Sequence, residues 1–354
     1  MRKLSRRTFL GHVARGAAAT SAVAVAHAPL TRLLQGVAHA QSDAAAKGVW
    51  ATYAPSPPLI GIHAIVTVGL CLLTGYAGQI SLGQAAFYGL GAYASGLLTT
   101  KFGVSPLFAL LAGLVITGAI AYVMGIPILK LRGHYLAMAT LAFGIIVYLA
   151  FVEFKDFTGG PSGLPGVPPM RIAGLVFDND VKRYYLVLIA VVAVLAIARN
   201  VIRSRVGRAL RSIHGSEVAA ETLGVDTTKY KLQVFVLSAV FASVAGSLYA
   251  HHLTLVSPSP FGFIASVEFV VMAAVGGLAS IWGAPFGAAA ITLLTEAIRR
   301  IMPHLLSYAS GEHEVIAYGI LLMVIMIFMP EGLVAGTADL VRRLRRARVG
   351  EAKG

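Results

Sequence analysis

Charged side chains are scarce in this sequence: Asp, Glu, Lys and Arg fill 12% of the positions, against 57% for hydrophobic residues. A water-soluble protein of 354 residues needs far more polar surface than that, so a soluble globular fold is excluded. Cysteine is nearly missing as well. The single Cys71 lies inside an apolar run, so no intrachain disulfide can form. His134, His251 and His252 have no cysteine or carboxylate at metal-ligand spacing, and no metal site is expected. No Ser, His and Asp arrangement falls on comparable elements, so the chain is read as no enzyme and as needing no cofactor. There is also no Gly-x-x-x-x-Gly-Lys-Ser/Thr phosphate loop, so any work done by ATP must come from another chain.

What is present is a series of apolar runs of about 20 residues, the length that crosses a hydrocarbon layer roughly 30 Å thick. The expected fold is all-α, a polytopic transmembrane helical bundle of about nine spans after an N-terminal leader. The runs fall at 59–78, 80–100, 107–129, 135–153, 184–201, 232–253, 266–281, 283–298 and 315–329. The second is rich in glycine and the last three are short, which points to broken or tilted helices among them. The formal charge of +14 raises nucleic acid as a partner. Lys and Arg concentrate instead at segment ends and in short loops, where they orient a membrane protein, so no nucleic acid is expected. Lys130 and Arg132, the basic cluster 199–211 and the run 342–346 then share one side, the cytoplasm, with the C-terminus inside; Arg299 and Arg300 run against that scheme.

Residues 1–40 form a unit of their own. Ser5-Arg6-Arg7-Thr8-Phe9-Leu10 precedes an alanine-rich stretch, and Ala38-His39-Ala40 fits a small-x-small cleavage site, a pattern that resembles a twin-arginine export signal. A removed leader, an uncleaved signal-anchor and a misassigned start all remain open. Residues 41–58 read as an outer-side linker, 59–335 as the membrane domain with a cytoplasmic loop at 203–231, and 336–354 as a basic cytoplasmic tail.

The stretch 75–93 organises the chain. It sets Gln79, Ser81, Gln84, Tyr88 and Tyr93 among closely spaced glycines and alanines, a mixture that packs backbones tightly while offering neutral hydrogen-bonding groups. These five residues are the candidate lining of a translocation pathway. The loop 155–183, dense in Gly and Pro, cannot continue a helix and is expected on the outer face. In 203–231 a short amphipathic helix with its core at 206–225 is expected to stop at Gly224, resting either at the lipid interface or in a groove of a partner. Glu268 is expected to cap the start of its helix, Glu153 to reach the outer interface, and Glu296 to pair with Arg300 four residues on.

Several blocks together resemble the permease subunits of branched-chain amino-acid ABC importers of the LivM type. They are 75–93, the run 131–144 beginning Leu131-Arg132-Gly133-His134-Tyr135, Thr158-Gly159-Gly160-Pro161-Ser162-Gly163-Leu164, the stretch 207–232, and Gly276-Gly277-Leu278-Ala279-Ser280-Ile281-Trp282-Gly283 with its continuation to Ala288. They span nearly everything after residue 58 in order; the leader lies outside them. Gln84 stands where many relatives carry His, and Val218 where the coupling motif often has Glu.

The resemblance implies an inner-membrane permease that moves branched-chain or related amino acids inward. Glu217, Ala219, Ala220 and Gly224 would form its coupling helix to the ATPase, with Arg208 and Arg211 adding polar contacts. The implied partners are ATP-binding subunits, a second related permease subunit and a periplasmic substrate-binding protein, all working in a lipid bilayer. A urea or short-amide cargo, and an ion-coupled secondary transporter, are the alternatives.

Overall fold

The computed structural model describes residues 57–172 and 174–305, with side chains as far as residue 297. The leader, the linker up to residue 56, the expected span 315–329 and the basic tail lie outside the described residues. Helix α1, Pro57–Leu70, runs on through a π-helical turn, Cys71–Tyr76. It is followed by α2, Gln84–Thr100; α3, Pro106–Ile128; and α4, His134–Glu153. A short α5, Lys155–Thr158, leads to α6, Asp180–Arg203. Then come α7, Arg205–Gly215; α8, Glu217–Thr222; α9, Thr227–Leu253; α10, Phe263–Gly276; and α11, Gly283–Leu305.

Five of these stretches are long and apolar enough to cross a bilayer: Pro57–Tyr76, Pro106–Ile128, His134–Glu153, Asp180–Arg203 and Thr227–Leu253. At 20 to 27 residues and about 1.5 Å per residue each reaches the hydrocarbon thickness. The chain is therefore an all-helical membrane protein. The second expected span departs from the regular pattern. Residues 78–83 are not helical, because Gly78 has φ +68°, outside the α region, and regular helix resumes only at Gln84. The expected span 266–281 begins three residues earlier and stops at Gly276, where Gly277 takes φ +99°. The next helix runs through to Leu305, longer than its expected 298 end.

Helix α9 is central, with 67% of its most apolar stretch buried, against 22% for α3. The outer faces of α3, α4 and α6 carry exposed Phe108, Val115, Val123, Met138, Ile146, Tyr185 and Ile189, as surfaces in contact with lipid chains should. Helix α2 lies parallel to α9, with Gln84 at Ser238 and Ser95 at Ser247. Helix α10 runs parallel to α1, with Phe269 at His63 and Met272 at Thr67. Two small ladders, β1 Leu164–Pro165 with β4 Leu255–Val256 and β2 Arg171–Ile172 with β3 Leu175–Val176, stand at the end of the bundle where α4 and α9 finish. The opposite, basic end holds Lys130, Arg132, α7 and α8.

Candidate functional site

At the basic end the chain leaves α6 through Ser204, whose hydroxyl accepts from the Val206 N–H at 3.1 Å and starts α7. Gly207, Leu210 and Ile213 form the buried face of α7, while Arg205, Arg208 and Arg211 stay exposed. Two of these arginines turn back on the end of α6. Arg208 donates to the Arg203 carbonyl at 3.5 Å, and Arg211 donates to the carbonyls of Ile202 and Gly207, both at 3.3 Å. Each supplies a donor to a helix-terminal carbonyl that would otherwise lack one.

Helix α8 is one and a half turns closed at both ends. The Ser216 hydroxyl accepts from the Ala219 N–H at 3.3 Å, the N-cap bond expected of serine. At the other end Gly224 has φ +81°, its N–H donates to the Glu221 carbonyl, and the Val225 N–H donates to the Ala220 carbonyl, both at 3.0 Å. That pair of bonds is a Schellman closure, which needs a left-handed residue at the position Gly224 fills. Gly224→Ala is expected to lower stability by about 1 kcal/mol through the strain of a Cβ in that conformation, read as a lower melting temperature in detergent.

The inward side of α8 is anchored by charge. Glu217 pairs with Lys231 at 2.5 Å and with Arg132 at 3.5 Å. Glu221 pairs with Arg132 at 3.5 Å and accepts the Thr227 hydroxyl at 2.8 Å. Lys231 is 1% exposed on the first turns of α9, and Arg132 precedes α4. Ala220 is buried against the bundle, whereas Ala219 faces out between Val218 and Leu223, which are 62% and 80% exposed. The result is a small helix with an apolar outer face, fastened by ion pairs to the ends of two membrane helices.

The five residues expected to line a pathway are all buried inside this chain. Gln79 donates to the Ala77 carbonyl at 3.2 Å, and its own carbonyl accepts the Thr74 hydroxyl at 3.1 Å. The Ser81 hydroxyl accepts from the Gly83 N–H at 3.4 Å. Gln84 donates through Nε2 to the hydroxyl of Ser238 and, at 3.3 Å, to its carbonyl. The Tyr88 ring packs on Tyr249, Phe261 and Phe269, and the Tyr93 ring on Phe151 and Phe261, so Phe261 joins the two tyrosines. Lys231 and Ser238 lie two turns apart on α9, about 10 Å along its axis. One helix therefore links the anchor of α8 to the polar residues of the interior.

Sequence reading missed three partners here. Ser238 hides in an ordinary apolar helix, and Arg132 and Lys231 look like loop charges; only the pairing across distant segments reveals them. It also set aside His251. The Nδ1 of His251 faces the Pro168 carbonyl at 2.7 Å, so this nitrogen carries the proton; Nε2 lies 2.9 Å from Ser95 Oγ, which itself accepts from Ser247 at 2.8 Å. This chain of bonds pins the loop before α6 to α2 and α9. Glu268 does not cap α10, since it is the sixth residue of that helix and too far along to reach its first N–H groups.

A helical membrane protein with a polar interior seam and a short surface helix braced on two membrane helices has the build of a transport permease subunit. The family described as "Branched-chain amino acid transport system / permease component" matches residues 59–330, and the chain belongs to it. The High-affinity branched-chain amino acid transport system permease protein LivM of Salmonella typhimurium is 31% identical over 317 residues, covering 83% of this chain and 71% of that protein. LivM of Escherichia coli is 30% identical over 314 residues, covering 82% and 72%. BraD of Pseudomonas aeruginosa, another permease protein of that description, is 25% identical over 289 residues, covering 77% and 91%. Among solved structures, PsaBC from Streptococcus pneumoniae in complex with Fab aligns over 76% of this chain and 89% of that one at 16% identity, with a TM-score of 0.39.

Proposed function

We infer that this chain is the membrane-spanning permease subunit of an ATP-driven importer that carries branched-chain amino acids into the cytoplasm. The observation that carries the reading is the family match over 59–330, joined to a surface helix that only the tertiary structure braces through Glu217 and Lys231. ATP-binding subunits dock on the exposed side of α8, at Val218, Ala219 and Leu223, and press on α9 through Lys231. The movement reaches Gln84 through Ser238, so Gln79, Ser81, Gln84, Tyr88 and Tyr93 repack as the pathway opens. A second related permease completes the pathway, and a substrate-binding protein delivers cargo at the end opposite α8. The basic end faces the cytoplasm, following the usual bias of Lys and Arg. A neutral cargo such as urea is not favoured by the relatives, which are named for branched-chain amino acids.

The test is uptake of radiolabelled leucine and urea by cells with and without this gene. Deletion is expected to reduce leucine uptake at least tenfold and leave urea uptake unchanged. Unchanged leucine uptake would remove the assignment.

A further inference from the structure

Glu268 is a carboxylate at membrane depth that nothing above uses. It sits in the middle of α10 and is 7% exposed, yet no hydrogen bond or ion pair joins it to any described residue. Its neighbours on the helix are accounted for. The Ser266 hydroxyl accepts the Ala85 N–H at 3.0 Å, the Phe269 ring packs on His63 and Tyr88, and the Thr67 hydroxyl donates to Met272 Sδ at 3.9 Å. Those contacts turn toward α1 and α2.

Helical geometry sets Glu268 away from Ser266 and beside Met272. At about 100° per residue it lies roughly 160° around the axis from Ser266 and within about 40° of Met272. The backbone of Met272 and Gly276 is where α10 meets Gly287 and Gly283 of α11. Glu268 therefore stands at the seam between α10 and α11. One turn earlier on nearly the same side, Ile264 is 45% exposed, so the seam reaches the open apolar face of the bundle.

Among the described residues a carboxylate in that place has no stabilising partner: it caps no helix, pairs with no cation and receives no donor. Burying it ionised without a counter-charge is costly, and a residue of that kind at membrane depth belongs to a pathway or a ligand site. By contrast Ser95, Ser247 and His251 are joined in a chain of bonds inside the protein. We propose that Glu268 is a subsite for the ammonium group of the transported solute, lying at the α10–α11 seam where the bundle opens. This rests on the import reading above, because a branched-chain amino acid carries one ammonium group and an apolar side chain suited to the open apolar face at Ile264. It also adds a means of selection. A buried acceptor built to hold N⁺–H groups discriminates strongly against analogues that lack them, whereas an apolar seam alone does not. Urea and short amides have no such cation.

The experiment uses the assembled transporter in proteoliposomes with ATP and its binding protein, comparing wild type, Glu268→Gln and Glu268→Asp. Glu268→Gln keeps size and hydrogen-bonding capacity but removes the charge. Its initial leucine uptake is expected to fall at least tenfold, while co-purification of the second permease and the ATP-binding subunits stays at wild-type yield. Glu268→Asp is expected to retain several times the activity of Glu268→Gln. Equal uptake by Glu268→Gln and wild type, equal loss in both variants, or loss of the second permease from the Glu268→Gln complex would each overturn the subsite; the last would mean that the partner subunit supplies the cation. Absence of leucine uptake by the wild-type complex would instead overturn the import reading itself.

Discussion

Lys231→Met is expected to reduce leucine uptake at least tenfold while leaving the chain in the membrane. Lys231 is almost fully buried, and its ammonium lies 2.5 Å from Glu217. Removing one partner of such a pair leaves the other charge poorly compensated, a loss of about 3 kcal/mol that falls on the contact between α8 and α9. Arg132 cannot make good the loss. Its bonds to Glu217 and Glu221 are both 3.5 Å long and its side chain is 61% exposed, and ion pairs of that kind contribute only about 0–1 kcal/mol. On the proposed docking, ATP-binding subunits would still meet Val218 and Leu223, but their motion would no longer be transmitted to α9. ATP turnover by the reconstituted complex should therefore persist with transport reduced at least tenfold. The exchanged pair Glu217→Lys with Lys231→Glu should recover part of the uptake. Full transport by Lys231→Met would show that α8 is not braced through this pair.

The second large effect is expected at Gly246. Helices α2 and α9 approach so closely here that a Cβ on Gly246 would sit 1.9 Å from the Tyr88 carbonyl oxygen and 2.8 Å from the Ala92 nitrogen. Both atoms belong to backbone, so no side-chain rotation relieves the contact, and the helices must separate. The cost should exceed the ~1–3 kcal/mol usual for overpacking, because the Gln84 to Ser238 bonds and the packing around Tyr88 would be lost with it. Gly246→Val should give little monodisperse protein after detergent extraction and no leucine uptake. Gly246→Ala should fall between it and the wild type. Wild-type yield and transport from Gly246→Val would refute this close crossing.

Much of this was legible in the sequence. The membrane class follows from the scarcity of charge, and the small residues of 75–93 correctly indicate helices that pack closely. Gly224 could be read as a helix stop because a residue with positive φ ends α8 whatever surrounds it. The break at 78–83 was less legible, since Gly78 could equally have sat inside a continuous helix packed against a neighbour. Glu268 was misread because its helix starts at Phe263, three residues before the place that the apolar pattern suggests. The ion pairs of α8 were not legible at all. Arg132, Glu217 and Lys231 come from three segments, and no local pattern says which charges will meet.

By itself the sequence determined that this chain lives in a bilayer, carries no nucleotide loop of its own and presents a polar-and-apolar helical segment between two long apolar ones, though not that it divides into α7 and α8 at Ser216. The bilayer enforces that outcome residue by residue, through length, hydropathy and the need to satisfy every backbone group. Only the tertiary structure decided that α2 begins at Gln84 beside Ser238 of α9, that Lys231 is buried against Glu217, and that Glu268 is left at a seam without a described counter-charge. Those facts depend on which helices lie beside one another, and in lipid that choice is made by close backbone approach and paired polar groups between distant segments, not by hydrophobicity that all the helices share.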